Sequence, residues 1–321
     1  MKKILSLLLV LITMLSLTSC SQAPKPKDKR VVLTLSGEKI YYDYFRYVFL
    51  NTKADMDGGD DSYWTENPEK LDELKESVLE TLVHNRAIQL LAKKHKVKLT
   101  NEDKKSVLSY IESMKEYDPN YKEGMEEAFM SDYCLYYLQT FTTLWAKVYD
   151  YVTSPENALI KNDDARVWAD IPVNFRRIRY VMIEFDGENK EEKKALAETL
   201  LEKAQGGDDF VSLIKQYCDE PEMVSGAEEG TYYTIGQFLP DVEDQIEKLS
   251  EGQISGIVEL PIGFFIFQRL PLDNEYIEDN FADFVEMYTA RIFNEMVSSL
   301  EETIKIKTSK IWDELSITDV K

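Results

Sequence analysis

The chain is poor in the residues that most enzyme chemistries need: three cysteines and two histidines among 321 residues. Cys20, Cys134 and Cys218 lie far apart and form no CxxC pair. That spacing excludes a disulfide scaffold and a thiolate metal centre. His84 and His95 fall in one expected helix about three turns, or roughly 16 Å, apart, too far for one metal. Packing or helix-surface roles account for both. HExxH, GxSxG, phosphate-loop and dinucleotide fingerprints are all missing, and no serine can be matched to a histidine by sequence. The acidic run at 55–61 (DMDGGDD) lacks the twelve-residue register and terminal glutamate of a calcium loop. No cofactor and no metal is implied. Basic residues are also short, 38 against 59 acidic ones, for a net charge of −21. Such a surface repels phosphates, carries no basic stripe, and excludes nucleic acid as a partner.

Long apolar runs are absent beyond the first twenty residues. There, Lys2 and Lys3 precede an apolar stretch that ends in Leu17-Thr18-Ser19-Cys20. The stretch is too short for a good membrane span and reads as a targeting segment. Leu-Thr-Ser-Cys resembles the bacterial lipobox, which implies a signal peptide over 1–19, cleavage, and lipid on Cys20. Residues 20–30 (CSQAPKPKDKR) then read as anchor and tether. Their prolines suit no core, and their positive charge favours anionic headgroups, although a plain linker has the same composition.

What the chain does have is aromatic and helical material. Residues 31–35 read as a strand, 36–39 as a turn, and helix is expected from Ile40 to the break at 55–61. Further helices are expected over 71–95, 104–117 and 124–151, with Thr100 capping one start and Ser154-Pro155 marking another. Residues 31–169 therefore form a mostly helical domain. Residues 176–270 differ: a strand-like run (RIRYVMIEF), a helical segment over 193–217, a glycine-punctuated middle, a short helix (DVEDQIEKL), and two strand-like runs split by Pro261-Ile262-Gly263. Such a unit of about 95 residues is large enough to own a core. Residues 275–321 begin with an apolar-striped helix that cannot bury its stripe alone. The expectation is that it packs on the N-terminal helices, making the central module, 171–271, an insertion into a split domain. Cys134 sits among Tyr and Leu and reads as a small buried hydrophobe. Cys218 opens a loop beside Asp219 and Glu220, acids that raise rather than lower a thiol pKa, so it is a poor nucleophile.

The central stretch resembles the parvulin-type (rotamase) peptidyl-prolyl isomerase family, and the layout resembles bacterial foldase lipoproteins of the PrsA kind and SurA-like chaperones. The resemblance rests on the helix ending at 204–210, on Tyr217-Cys218-Asp219-Glu220 at the loop opening, and on Gly226-Ala227-Glu228-Glu229-Gly230 at the glycine turn. Gln237-Phe238-Leu239-Pro240 with Val242 and the 249–255 segment (LSEGQIS) extend it. It implies an α+β fold: a mostly helical SurA-like chaperone domain, split in sequence, with an inserted parvulin-like antiparallel sheet flanked by helices. It also implies unfolded or newly secreted polypeptides as partners, the outer face of the cytoplasmic membrane as location, and no cofactor. Oligomeric state stays open.

The pattern's two histidines fall on Tyr180 and Phe265. Tyr180 retains a hydrogen-bond donor and Phe265 does not. Prolyl isomerisation moves no proton and breaks no covalent bond; its barrier of about 18–20 kcal/mol is the double-bond character of the amide. A catalyst needs only to bind the twisted amide better than the planar forms. The resemblance thus assigns polar roles to Tyr180 and Glu220 and a proline pocket to Phe238, Val242, Phe265, Met182 and Cys218. Tyr180, Glu220, Phe238, Val242 and Phe265 are expected to converge on one open pocket. A Phe265 ring that fills the pocket would favour holding over turnover. The alternatives are a catalytically inactive substrate-holding chaperone and an adaptor lipoprotein for one defined partner.

Overall fold

The computed structural model describes residues 22–157, 159–185, 189–238 and 240–320. The targeting segment and Cys20 lie outside the described residues, as does Leu239. The chain divides into two compact units: one runs to Val148 and resumes at Glu301, and the other is Tyr149–Leu300.

The first unit opens with a hairpin, β1 (Val31–Leu35) and β2 (Glu38–Tyr41), rather than a strand, turn and helix. Ser36 and Gly37 both take positive φ, 45° and 86°, the geometry of a tight two-residue turn that directs the chain back along β1. Helix α1 (Tyr42–Asp57) follows and ends where expected, on Gly58 in the left-handed conformation. Helices α2 (Ser62–Glu66), α3 (Lys70–Lys94) and α4 (Asn101–Tyr117) come next. Thr100 caps α4 in a full capping box with Asp103, which satisfies two amides that would otherwise lack partners. The helix expected over 124–151 is two helices, α5 (Tyr121–Glu127) and α6 (Asp132–Thr153). Phe129, at φ 53°, breaks the run between them. Apolar side chains of the hairpin and α1, notably Leu33, Leu35, Phe45 and Phe49, are fully buried, and each contributes roughly 1.5–3 kcal/mol.

In the second unit Ser154-Pro155 starts a turn, Asn157 N–H bonding to the Ser154 carbonyl, and the next helix waits for Asp163. The Asp163 side chain accepts from the Arg166 amide and starts α7 (Asp164–Asn174). Strand β3 (Phe175–Glu184) leads to α8 (Lys190–Gln205) and α9 (Phe210–Tyr217), the expected 193–217 segment being divided at the helix ending expected over 204–210. Gly206 and Gly207 separate them, and Asp209 caps the second. Helix α10 (Pro221–Ser225), strand β4 (Thr231–Thr234) and helix α11 (Pro240–Glu247) precede β5 (Ile254–Leu260) and β6 (Gly263–Leu270). These strands form one antiparallel sheet in the order β4-β3-β6-β5. One face of the sheet carries Val181, Ile183 and Ile266 against Leu200 of α8 and Phe210, Leu213 and Ile214 of α9. The other carries Ile178, Phe265 and Phe267 against Val242 and Ile246 of α11.

Helices α12 (Asn274–Asp279) and α13 (Phe281–Glu301) close the unit. Here the division differs from the expected one. The apolar stripe of α13 finds its partners within the second unit: Phe284 lies against Phe175 and Tyr232, and Phe293 against Tyr149. Only the chain from Glu301 rejoins the first unit, where β7 (Ile306–Thr308) pairs antiparallel with β1. The result is a mostly helical fold with two small antiparallel sheets among the described residues. No helix among them is long and apolar enough to cross a membrane.

Candidate functional site

The α11 face of the central sheet gathers the expected site residues. Strand alternation puts Tyr180 and Met182 of β3 on the same side as Phe265 and Phe267 of β6, and the register sets Tyr180 opposite Phe267 and Met182 opposite Phe265. Tyr180 lies 5.7 Å, centroid to centroid, from both phenylalanine rings, and those two rings stack at 5.8 Å with an interplanar angle of 12°. Helix α11 is tied to β3 by Arg176, whose guanidinium grips Glu247 at 2.6 and 2.7 Å. The bidentate pair places Val242 and Ile246 over the aromatic rings.

Polar groups come from the loop after α9. Its backbone is pinned to β3: Asp219 N–H donates to the Met182 carbonyl at 2.9 Å, and the Asp219 carboxylate accepts from Glu184 N–H at 2.9 Å. This brings Glu220 within 2.5 Å of the Tyr180 hydroxyl, which donates to its carboxylate. Burial, followed by the Glu220 hydrogen bond and charge, holds the Tyr180 phenol well above its ordinary pKa. Tyr180 is a neutral donor at any physiological pH. Cys218 is half-buried, its sulfur accepting from Met182 N–H at 3.4 Å, and burial pushes its thiol up as well. It is a packing group here and a poor nucleophile.

The last contribution comes from the loop between β4 and α11. The buried Glu243 carboxylate accepts from the amides of Gly236 and Phe238 at 2.9–3.0 Å. That clamp sets Phe238 with its ring 4.7 Å from Tyr233, where it remains 36% exposed. The seven expected residues therefore sit in one neighbourhood but share it unequally. Phe238, Tyr180, Met182, Cys218 and Glu220 present surface, whereas Val242 and Phe265 are only 4% and 7% exposed. Phe265 is enclosed by Phe267, Tyr180 and α11, so it acts as floor rather than open wall. Phe267 and Tyr233, which complete the floor, are absent from the sequence-based set. The alternation Phe265, Ile266, Phe267 announces the first, and the Thr-Tyr-Tyr-Thr run between two glycines announces β4 and hence the second.

Residues 180–270 match the family described as rotamase, PPIC-type PPIASE domain. The chain carries a parvulin-type domain. It is homologous, at the family level, to PrsA- and SurA-like foldase chaperones. Chaperone SurA of Alkalilimnicola ehrlichii is 29% identical over 112 residues, 34% of this chain and 26% of that protein. The chain thus matches about a quarter of that relative's length. Foldase protein PrsA of Caldanaerobacter subterraneus subsp. tengcongensis is 25% identical over 276 residues, 84% of this chain and 82% of that one. A crystal structure of foldase protein PrsA from Streptococcus pneumoniae aligns at 14% identity over 80% of this chain and 97% of the other. Its TM-score is 0.35.

Proposed function

We propose that this protein is an exported foldase that holds unfolded or newly secreted polypeptides and isomerises X-Pro bonds only weakly. Lipid on Cys20 would anchor it to the outer face of the bacterial cytoplasmic membrane. The observation that carries the reading is the enclosure of Phe265. Tyr180 and Phe265 stand where the parvulin pattern has histidines, and the second of them occupies the floor of the site with an apolar ring stacked on Phe267. What stays accessible is an aromatic shelf, Phe238 and Tyr180, beside one carboxylate already bonded to the Tyr180 hydroxyl. A shelf of this kind binds apolar and prolyl segments through ring faces. It offers the twisted amide little that the planar amide does not also receive, and uniform binding does not accelerate a reaction.

The test is a protease-coupled prolyl-peptide assay run beside a client-aggregation assay on the full chain. The expected result is slow but measurable cis-to-trans catalysis that falls in Glu220→Ala and Phe238→Ala, with aggregation suppression retained in both. Catalysis at the diffusion-limited rates of efficient enzymes would overturn the weak-isomerase reading, and absence of both effects would overturn the foldase reading. Membrane fractionation checks the anchor: Cys20→Ala protein should appear in the soluble fraction.

A further inference from the structure

The central sheet ends on one side at β4, and a cleft runs along that edge. Its cavity volume is about 660 Å³, within the range of sites that enclose ligands. One wall is the strand and the loop that follows, from Tyr232 through Gly236 to Gln237. The other is one face of α13 between Met287 and Ser298, a span of roughly 16 Å at the helical rise. That length matches about five residues of extended chain.

The hydrogen-bond pattern of β4 shows what the cleft lacks. Ile235 N–H donates to the Asn174 carbonyl at 2.9 Å, and the register pairs Arg176 with Tyr233 and Ile178 with Thr231. Antiparallel ladders alternate, so Ile235, Tyr233 and Thr231 turn their backbone groups toward β3, while Thr234 and Tyr232 turn theirs outward. Thr234 is covered: its N–H donates to the Gln237 side-chain oxygen at 3.2 Å, and its carbonyl accepts from Gln237 N–H at 3.1 Å. By that register the backbone N–H and C=O of Tyr232 face away from β3, and no turn or loop bond engages them among the described residues.

The opposite wall supplies a second observation. Arg291 lines the cleft with its side chain only 9% exposed. Its terminal nitrogens are engaged, one with Asp170 at 2.6 Å and one with Glu295, but its Nε is buried and meets no acceptor among the described residues. The ionic groups of the lining, Arg291 and Glu295, cancel, while the chain as a whole carries −21. The cleft therefore suits an uncharged or basic segment and disfavours an acidic one.

We propose that an extended polypeptide segment, uncharged or basic, binds this cleft by adding a strand to the free edge of β4. The segment bonds its backbone to Tyr232 and, once it displaces the Gln237 side chain, to Thr234. Strand addition reads backbone and tolerates varied side chains, as a client-binding protein requires. The inference rests on the foldase reading for its class of ligand. It adds a binding site separate from the aromatic shelf.

A fluorescein-labelled peptide, Lys-Thr-Val-Thr-Val-Thr-Lys, titrated with the full chain by fluorescence anisotropy tests it. Tyr232→Pro removes the outward N–H without touching the β3 ladder, since proline is tolerated where an edge donor faces away from the sheet. Tyr232→Val keeps that N–H and is the control for loss of the ring. Binding should fall about five-fold or more in Tyr232→Pro relative to Tyr232→Val. It should strengthen by about two-fold or more in Gln237→Ala, and an all-glutamate peptide should not bind. Amide hydrogen exchange of the unaltered chain gives a readout independent of how the variants fold, because peptide should slow the Tyr232 and Thr234 amides. Equal binding by the Pro and Val variants, no exchange protection, or no binding at all would overturn the strand-addition site. Retained suppression of client aggregation in that event would leave the foldase reading standing.

Discussion

Removing the Phe265 ring separates its two possible roles. Phe265 is 7% exposed and makes ring contacts with Phe267 and Tyr180 at 5.8 and 5.7 Å. A Phe→Ala change in such a place costs about 3–5 kcal/mol, from lost transfer energy and the cavity left behind. The lower end, about 3 kcal/mol, applies here because Tyr180 and Met182 are only half-buried and can relax into the gap. For a cooperative unit of roughly 150 residues that shifts the melting temperature by about 6–12 °C. Calorimetry should show the loss in one transition, since the ring's contacts lie within the second unit. The prolyl-peptide assay, run near about 10 °C where uncatalysed isomerisation takes minutes and the variant stays folded, supplies the functional half. If the enclosed ring is what denies a prolyl group its seat, kcat/KM should rise at least about three-fold, or roughly 0.7 kcal/mol of transition-state stabilisation. A rate that falls in step with Phe238→Ala, with the melting shift as expected, would show that Phe265 supports the substrate rather than displacing it.

Further outcomes follow from buried polar groups and glycines. Asp57 is buried and accepts from Lys53, Trp64 Nε1 and Gly59 N–H, at 2.6, 2.6 and 2.7 Å. Burial pushes its carboxyl up, but these bonds outweigh that and hold it below its ordinary value. Its stabilising contribution is therefore present above the unfolded carboxylate pKa and is lost as pH falls through the folded one. Asp57→Ala, which leaves the Trp64 indole N–H without its acceptor and Lys53 with Asp61 alone, should cost about 2 kcal/mol in denaturant titrations at neutral pH. At the alkaline end, burial raises the Tyr137 phenol to about 12, so its stabilising effect is complete below about pH 10 and is lost between there and its folded pKa. Denaturant midpoints should hold to about pH 9.5 and then drop, and Tyr137→Phe should flatten part of that drop. Gly230 has φ 73°, and a Cβ there would sit 2.5 Å from the Ile178 carbonyl; Gly252 has φ 83° and open space around it. Gly252→Ala should cost only the left-handed penalty of about 1–2 kcal/mol, and Gly230→Ala at least about 2 kcal/mol more.

The sequence carried the local structure and lost the junctions. Thr100 and its capping box, the α1 stop near Gly58, and the β5–β6 turn at Pro261-Ile262-Gly263 are written in residues a few positions apart, where backbone chemistry decides alone. The break at Phe129 escaped because the apolar stripe runs through it unchanged, and periodicity is blind to one residue at positive φ. The grouping of α13 escaped for another reason. Phe284 and Phe293 announce that the helix must be covered, but not whether Phe175 and Tyr149 or the N-terminal helices do the covering.

The site shows the same limit at finer scale. Tyr180, Glu220, Phe238 and Phe265 were legible as a set only through the resemblance to the parvulin pattern, and strand alternation adds that Tyr180 and Phe265 share one face of the sheet. Whether Phe265 lined a pocket or closed it depended on Phe267, one register step beyond the motif, and on an Arg176–Glu247 clamp between residues 71 positions apart. That clamp lays α11 over the rings and leaves Phe238 as the exposed aromatic. A sheet with its face so occupied still has an edge, and β4 owes its short free edge to the same Gly230 and Gly236 that bound it. In the proposed foldase, client binding in this unit would divide between ring faces at Phe238 and backbone groups at Tyr232. Competition would separate the two modes: a soluble proline peptide should displace clients from the shelf and leave strand-adding peptides in place.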